Sequence, residues 1–177
     1  MNPFRYGKIV KDEFFYDRKD DVKRIKDILC GGNNIVLYAP RRFGKSSLVS
    51  KVFDQLDADG YKTVWIDFMS VYSQETFIEQ YTKAIASSQQ KHIVDFMKKI
   101  SSFLKGIALN MQFDEQSFPV FSVGFNESKI SQSTLEEVID LPDKLATKEQ
   151  KYIIAFDEFQ EINKLNGENF EKLLSNR

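Results

Sequence analysis

The segment Ala39-Pro40-Arg41-Arg42-Phe43-Gly44-Lys45-Ser46-Ser47 sets a glycine, a lysine and two hydroxyls in the order that grips a phosphate. It follows the P-loop pattern G-x-x-x-x-G-K-[ST], with Gly44, Lys45 and Ser46 matching and Ala39 where the first glycine is expected. A loop wound around a phosphate turns successive backbone N–H groups inward. Gly44 lets that backbone turn tightly without a Cβ clash. A helix starting there adds unpaired N–H groups and its positive end, worth about 0.3–1 kcal/mol. Lys45 supplies a full charge to the terminal phosphates, as a binding and a catalytic group. Ser46 offers a hydroxyl to Mg2+, a hard ion that prefers oxygen. Ala39 is acceptable wherever φ stays negative, as at a strand exit. The nucleotide-lining set is therefore Pro40, Arg41, Arg42, Phe43, Gly44, Lys45, Ser46 and Ser47. Arg41 and Arg42 have two readings: contacts to phosphate or to a partner, or simply exposed loop arginines.

A second constellation is Tyr152-Ile153-Ile154-Ala155-Phe156-Asp157-Glu158, an apolar run closing on two acids. This is the Walker B pattern. Asp157 emerges at the carboxyl end of a strand, where ligands bind in open α/β sheets. Its carboxylate suits the magnesium shell, and Glu158 is placed to orient and deprotonate an attacking water. Gln160 reads either as a neighbour of the γ-phosphate or as a surface glutamine.

Both motifs need strands to deliver them. Residues 35–38 (Ile-Val-Leu-Tyr) read as a buried strand entering the loop, and 46–56 as the amphipathic helix leaving it. Helical spacing also marks 18–29, stopped by Gly31-Gly32-Asn33-Asn34, and 75–87, 91–109, 135–146 and 169–174. Pro142 is expected to kink or delay the helix it sits in. Residues 63–68 and 151–156 read as further strands, with Trp65 in the core. Alternation at Met111, Phe113, Phe121, Val123 and Phe125 predicts a β-hairpin inserted over 110–126. Strands alternating with helices argue for a mainly parallel sheet covered on both faces. The expected organisation is one domain: a lead-in and first helix (1–30), a P-loop unit (35–68), the hairpin, and the Walker B unit (151–162).

Composition narrows the chemistry. The 177 residues are 42% hydrophobic and 29% charged, an ordinary globular balance, and sixteen Phe supply core material. A net charge of −1 gives no bulk electrostatic case for nucleic acid, although a local basic patch stays open. No apolar run reaches the roughly 20 residues that span a bilayer. Cys30 is the single cysteine, which excludes an internal disulfide and, with no signal peptide, leads to the expectation of a cytoplasmic setting. His92 is the one histidine, in a polar helical stretch, so zinc sites built on histidine and a Ser-His-Asp triad are not expected.

Four segments together, the N-terminal Asn-Pro-Phe, Phe-Tyr-Asp-Arg at 15–18, Pro-Arg-Arg-Phe-Gly-Lys-Ser-Ser-Leu at 40–48 and Phe-Asp-Glu-Phe-Gln at 156–160, resemble the archaeal and bacterial AAA-type ATPases of the STAND-related group. The resemblance implies a three-layer P-loop sandwich, ATP rather than GTP, and Glu158 as the catalytic carboxylate. It also lays 15–18 against the adenine, so Phe15 and Tyr16 either touch the base or anchor the N-terminus on the core.

The resembling domains continue past Walker B with a sensor strand, a further strand and an arginine, whereas this sequence stops at Arg177. In them the next strand lies between the P-loop and Walker B strands. The expectation is an incomplete sheet whose two strands either leave a slot about 10 Å wide or pair with something else, a C-terminal segment or a second copy of the chain. Two functions compete on this reading. One is an ATPase that couples hydrolysis to a conformational switch. The other is a non-hydrolysing nucleotide-binding or interaction module. A small-molecule kinase fits less well, because no acceptor-binding lid is evident.

Overall fold

A computed structural model describes residues 18–40, 42–88, 93–104, 107–113, 119–125, 130–165, 170 and 172–174. Phe15, Tyr16, Arg41 and His92 lie outside the described residues. The chain divides into two compact units, 1–63 and 64–177.

The first unit is built on helices α1 (Lys19–Cys30) and α2 (Lys45–Ala58), which pack on each other. Their buried apolar residues are Val22 and Ile25 on α1 and Leu48, Val52, Phe53 and Leu56 on α2. Both helices end in the same way. Gly32 (φ 77°) follows α1, with Gly32 N–H bonding the Leu29 carbonyl and Asn33 N–H the Ile28 carbonyl. Gly60 (φ 92°) follows α2, with Gly60 N–H bonding the Asp57 carbonyl and Tyr61 N–H the Leu56 carbonyl. Such paired bonds need a left-handed residue, which glycine adopts without a Cβ penalty. A Lys26–Asp59 ion pair at 2.6 Å ties α1 to the end of α2.

Residues 35–38 differ from expectation. No described strand pairs with them, and they form no regular element. Their exposure alternates as along a strand, but Val36 is 84% and Tyr38 98% exposed. An apolar run becomes a buried strand only when a neighbour supplies ladder bonds and a covering face, and this one has neither among the described residues.

The second unit holds a parallel two-stranded sheet of β1 (Lys62–Asp67, which starts at the boundary) and β4 (Tyr152–Asp157). Val64 and Ile66 of β1 are buried, whereas Trp65 points to the other face and is half-exposed, so it is not the core residue expected. Every residue of β4 is only half-buried, where full burial was expected. Helix α3 (Gln74–Ser87) buries Phe77, Ile78, Tyr81 and Ile85, capped by the Ser73 hydroxyl accepting from Thr76 N–H.

Helix α4 (Ile93–Phe103) ends before the expected 109, because 107–109 already belong to β2 (Ile107–Phe113). Gly106 is a poor helix former, and the period-2 alternation starts at Ile107. Strand β2 pairs antiparallel with β3 (Pro119–Phe125), Leu109 opposite Val123 and Met111 opposite Phe121, so the hairpin forms as read. Its Ile107, Leu109, Val123 and Phe125 pack on the core. The region expected as one helix over 135–146 is two, α5 (Gln132–Ile139) and α6 (Leu141–Leu145), with Pro142 in the first turn of α6, where its missing N–H costs nothing.

Candidate functional site: a phosphate loop and an acidic strand end

Gly44 sits in the left-handed region at φ 71° and precedes α2 as its cap. The first bond within the helix runs from Leu48 N–H to the Gly44 carbonyl at 2.9 Å, so the earlier N–H groups have no partner inside it. No side chain caps this end and its first turn carries no acid. The first-turn N–H groups thus make no bond within the helix, at its positive end.

Two bonds fix the loop from either side. The Lys45 ammonium donates to the Ala39 carbonyl at 3.0 Å, spanning the loop from end to start. Phe43 N–H bonds the Pro40 carbonyl at 3.3 Å, closing a turn in which Arg42 takes φ 67°. Arg42 and Phe43 are exposed, Ser46 is half-buried and Ser47 buried.

Sequence reasoning placed Arg18 only within the segment laid against the adenine and missed its contact to the loop. Its Nη1 donates to the Phe43 carbonyl at 3.1 Å while its Nε pairs with Asp21 at 2.9 Å. The Arg18/Asp21 spacing is legible as a local pair, but nothing in the sequence signals a contact to a residue as distant as Phe43.

The acidic pair lies in the second unit, at the end of β4. Asp157 Oδ1 accepts the Glu158 N–H at 3.0 Å, and Glu158 itself adopts φ 52°. The Glu158 carbonyl accepts the Glu161 N–H at 2.9 Å, and the Gln160 side-chain amide donates to Glu158 Oε2. Gln160 is exposed, in keeping with a surface glutamine, and its amide is the partner of that carboxylate.

Phenylalanines on both sides of the acids anchor them. Phe156 and Phe159 place their rings 5.6 and 5.7 Å from that of Phe68, which also meets Phe77 and Phe170. Offset and edge-on ring pairs contribute about 0.5–1.5 kcal/mol each beyond burial. Sequence gave Phe as core material without showing that it clamps this turn.

Ser46 carries a hydroxyl in the first unit and Asp157 a carboxylate in the second. Among the described residues no cluster of three or more His, Cys, Asp or Glu forms a metal site by protein ligands alone. No described helix is long and apolar enough to cross a membrane.

Residues 15–176 match a family model described as an ATPase domain found predominantly in Archaea. A Methanocaldococcus jannaschii protein described as an uncharacterized ATP-binding protein is 28% identical over 172 residues, covering 90% of this chain and 46% of that protein. The chain therefore spans about half the length of this curated relative. No solved structure matches the chain.

Proposed function

The chain belongs to this family of ATPase domains, and from that premise we propose that it binds ATP through residues 39–47 and, with Mg2+, hydrolyses it to drive a conformational switch in the functional protein. The observation that carries the reading is the uncapped start of α2 behind a left-handed Gly44, with Lys45 reaching across the loop to Ala39. A triphosphate replaces the Ala39 carbonyl as the stronger partner for the ammonium, since charge-assisted bonds are roughly twice as strong as neutral ones. Pro40, Arg41, Arg42, Phe43, Ser46 and Ser47 complete the phosphate lining, and Phe15 and Tyr16 receive the adenine.

Magnesium neutralises phosphate charge when bound. Ser46 contributes a hydroxyl to it and Asp157 a carboxylate. Glu158 orients the water and takes its proton, and Gln160 positions the Glu158 carboxylate. The finer grouping with STAND-related ATPases and the three-layer sandwich rest on the sequence segments already given, and the cytoplasmic setting on the single Cys30.

A second reading, a nucleotide-binding module without turnover, draws on one observation. Residues 35–38 lack a strand partner among the described residues and expose Val36 and Tyr38. In the functional protein this segment pairs with another strand, from a C-terminal segment or a second copy of the chain.

The test is a steady-state assay with ATP and magnesium beside a binding titration, on the wild type and Glu158→Gln. Hydrolysis in the wild type, lost in the variant with binding kept, supports the enzyme. Binding without turnover in both supports the module, and no binding contradicts both readings.

A further inference from the structure

We propose that Arg18 is a positioning residue that sets the phosphate loop, by pinning the Phe43 carbonyl and so orienting the Gly44 N–H. The idea rests on the nucleotide-binding reading of residues 39–47 and adds a group outside that loop to its machinery.

A trans peptide is planar, so its carbonyl and its N–H point in opposite directions. No described peptide bond is cis. The Arg18 guanidinium bonds the Phe43 carbonyl at 3.1 Å, which holds the Gly44 N–H on the side away from Arg18. That N–H directly precedes the first turn of α2, whose N–H groups make no bond within the helix. The Phe43–Gly44 peptide is free to rotate otherwise, because Gly44 tolerates either sign of φ. A flipped peptide would place a carbonyl oxygen where the phosphate needs a donor.

Arg18 is itself held. Its Nε pairs with Asp21 one turn along α1, which aims the planar guanidinium at the loop. The guanidinium stays outside the loop: a Cβ built on Gly44 would stand 4.0 Å from Nη1. Arg18 therefore acts through the backbone. Lysine cannot replace it, since a single ammonium on a flexible stem does not hold Asp21 and the carbonyl in one rigid fork.

The experiment is calorimetric titration of the full chain with two probes in magnesium buffer, ATP and inorganic tripolyphosphate, which has neither base nor sugar. Arg18→Ala is expected to weaken both about tenfold, the loss of one charge-assisted contact. Arg18→Lys is expected to recover little of that loss. Asp21→Asn keeps the arginine but loosens its aim, and is expected to cost about threefold on both probes. Circular dichroism checks that each variant folds, and Asp21→Asn carries the test if Arg18→Ala does not. Unchanged affinity in the variants overturns the latch while leaving the loop's function standing. A loss confined to ATP puts Arg18 on the base side and also overturns it, as does full recovery by lysine. A wild type that binds neither probe overturns the latch together with the reading beneath it.

Discussion

Two described residues other than glycine adopt positive φ, Arg42 at 67° and Glu158 at 52°, one in each motif. Sparsely populated backbone costs on the order of 1–3 kcal/mol per residue and persists only where the surrounding structure holds it. Gly44 needs the same region and pays no such penalty. Gly44→Ala should therefore lose about 1–2 kcal/mol of loop conformation, since a left-handed alanine brings Cβ against the carbonyl. Space is not the issue, because Arg18 is the nearest described neighbour at 4.0 Å. The expected result is an ATP affinity reduced about 5- to 30-fold with little change in melting temperature. Affinity at the wild-type level would mean the loop is not used in this shape. At the other motif, Gln160→Ala should leave binding unchanged and slow turnover, because the Glu158 carboxylate loses its amide partner. A fall in ATP affinity instead would place Gln160 on the nucleotide.

The turn after β4 packs against an aromatic cluster. Phe68, at the exit of β1, touches Phe77 from α3, Phe156 from β4, and Phe159 and Phe170 beyond it. Phe68 is fully buried, so Phe68→Ala should destabilise the second unit by about 3–5 kcal/mol. Thermal unfolding measures this, and a loss below about 1 kcal/mol would show that the cluster does not hold the turn. Elements with local signals were legible in the sequence. The Gly31-Gly32 and Asp59-Gly60 stops mark real helix ends, and the alternation from Met111 to Phe125 found the hairpin. What failed depended on distant partners. Ile35 to Tyr38 has strand composition, but a ladder needs a second strand that composition cannot supply. The strand at 107–109 was legible in the alternation that starts at Ile107, and pairing with 123–125 completes it. Gly44, Lys45, Ser46, Asp157 and Glu158 were legible as types at fixed spacing. Arg18 and Phe159 were not, because their roles arise only after folding.

One titrating group links the core to pH. Tyr81 is buried, and its hydroxyl donates to the Ile139 carbonyl at 3.4 Å. Burial raises its pKa far above the usual phenol value, with Asp143 and Asp140 adding to the rise. The unfolded chain releases this proton near pH 10 while the folded chain keeps it. Stability from this group is thus complete below about pH 10 and declines as pH rises further. Tyr81→Phe should flatten that decline in denaturant melts between about pH 9 and 11, and an unchanged slope would assign it elsewhere. Association is a second property of the molecule as a unit. Exposed Val36 and Tyr38 predict that the isolated chain self-associates, or gains thermal stability when a C-terminal segment is supplied. A monomer in sedimentation, with a sharp transition that the segment does not shift, would show that residues 35–38 need no partner. The most direct test of the account is calorimetric titration of the chain with ATP and magnesium, beside Lys45→Ala. Saturable binding by the wild type, weakened about ten- to a hundredfold in a variant of unchanged circular dichroism, is the expected result. Equal affinity in the two proteins, or no binding by the wild type, would contradict the assignment of residues 39–47 as the nucleotide site.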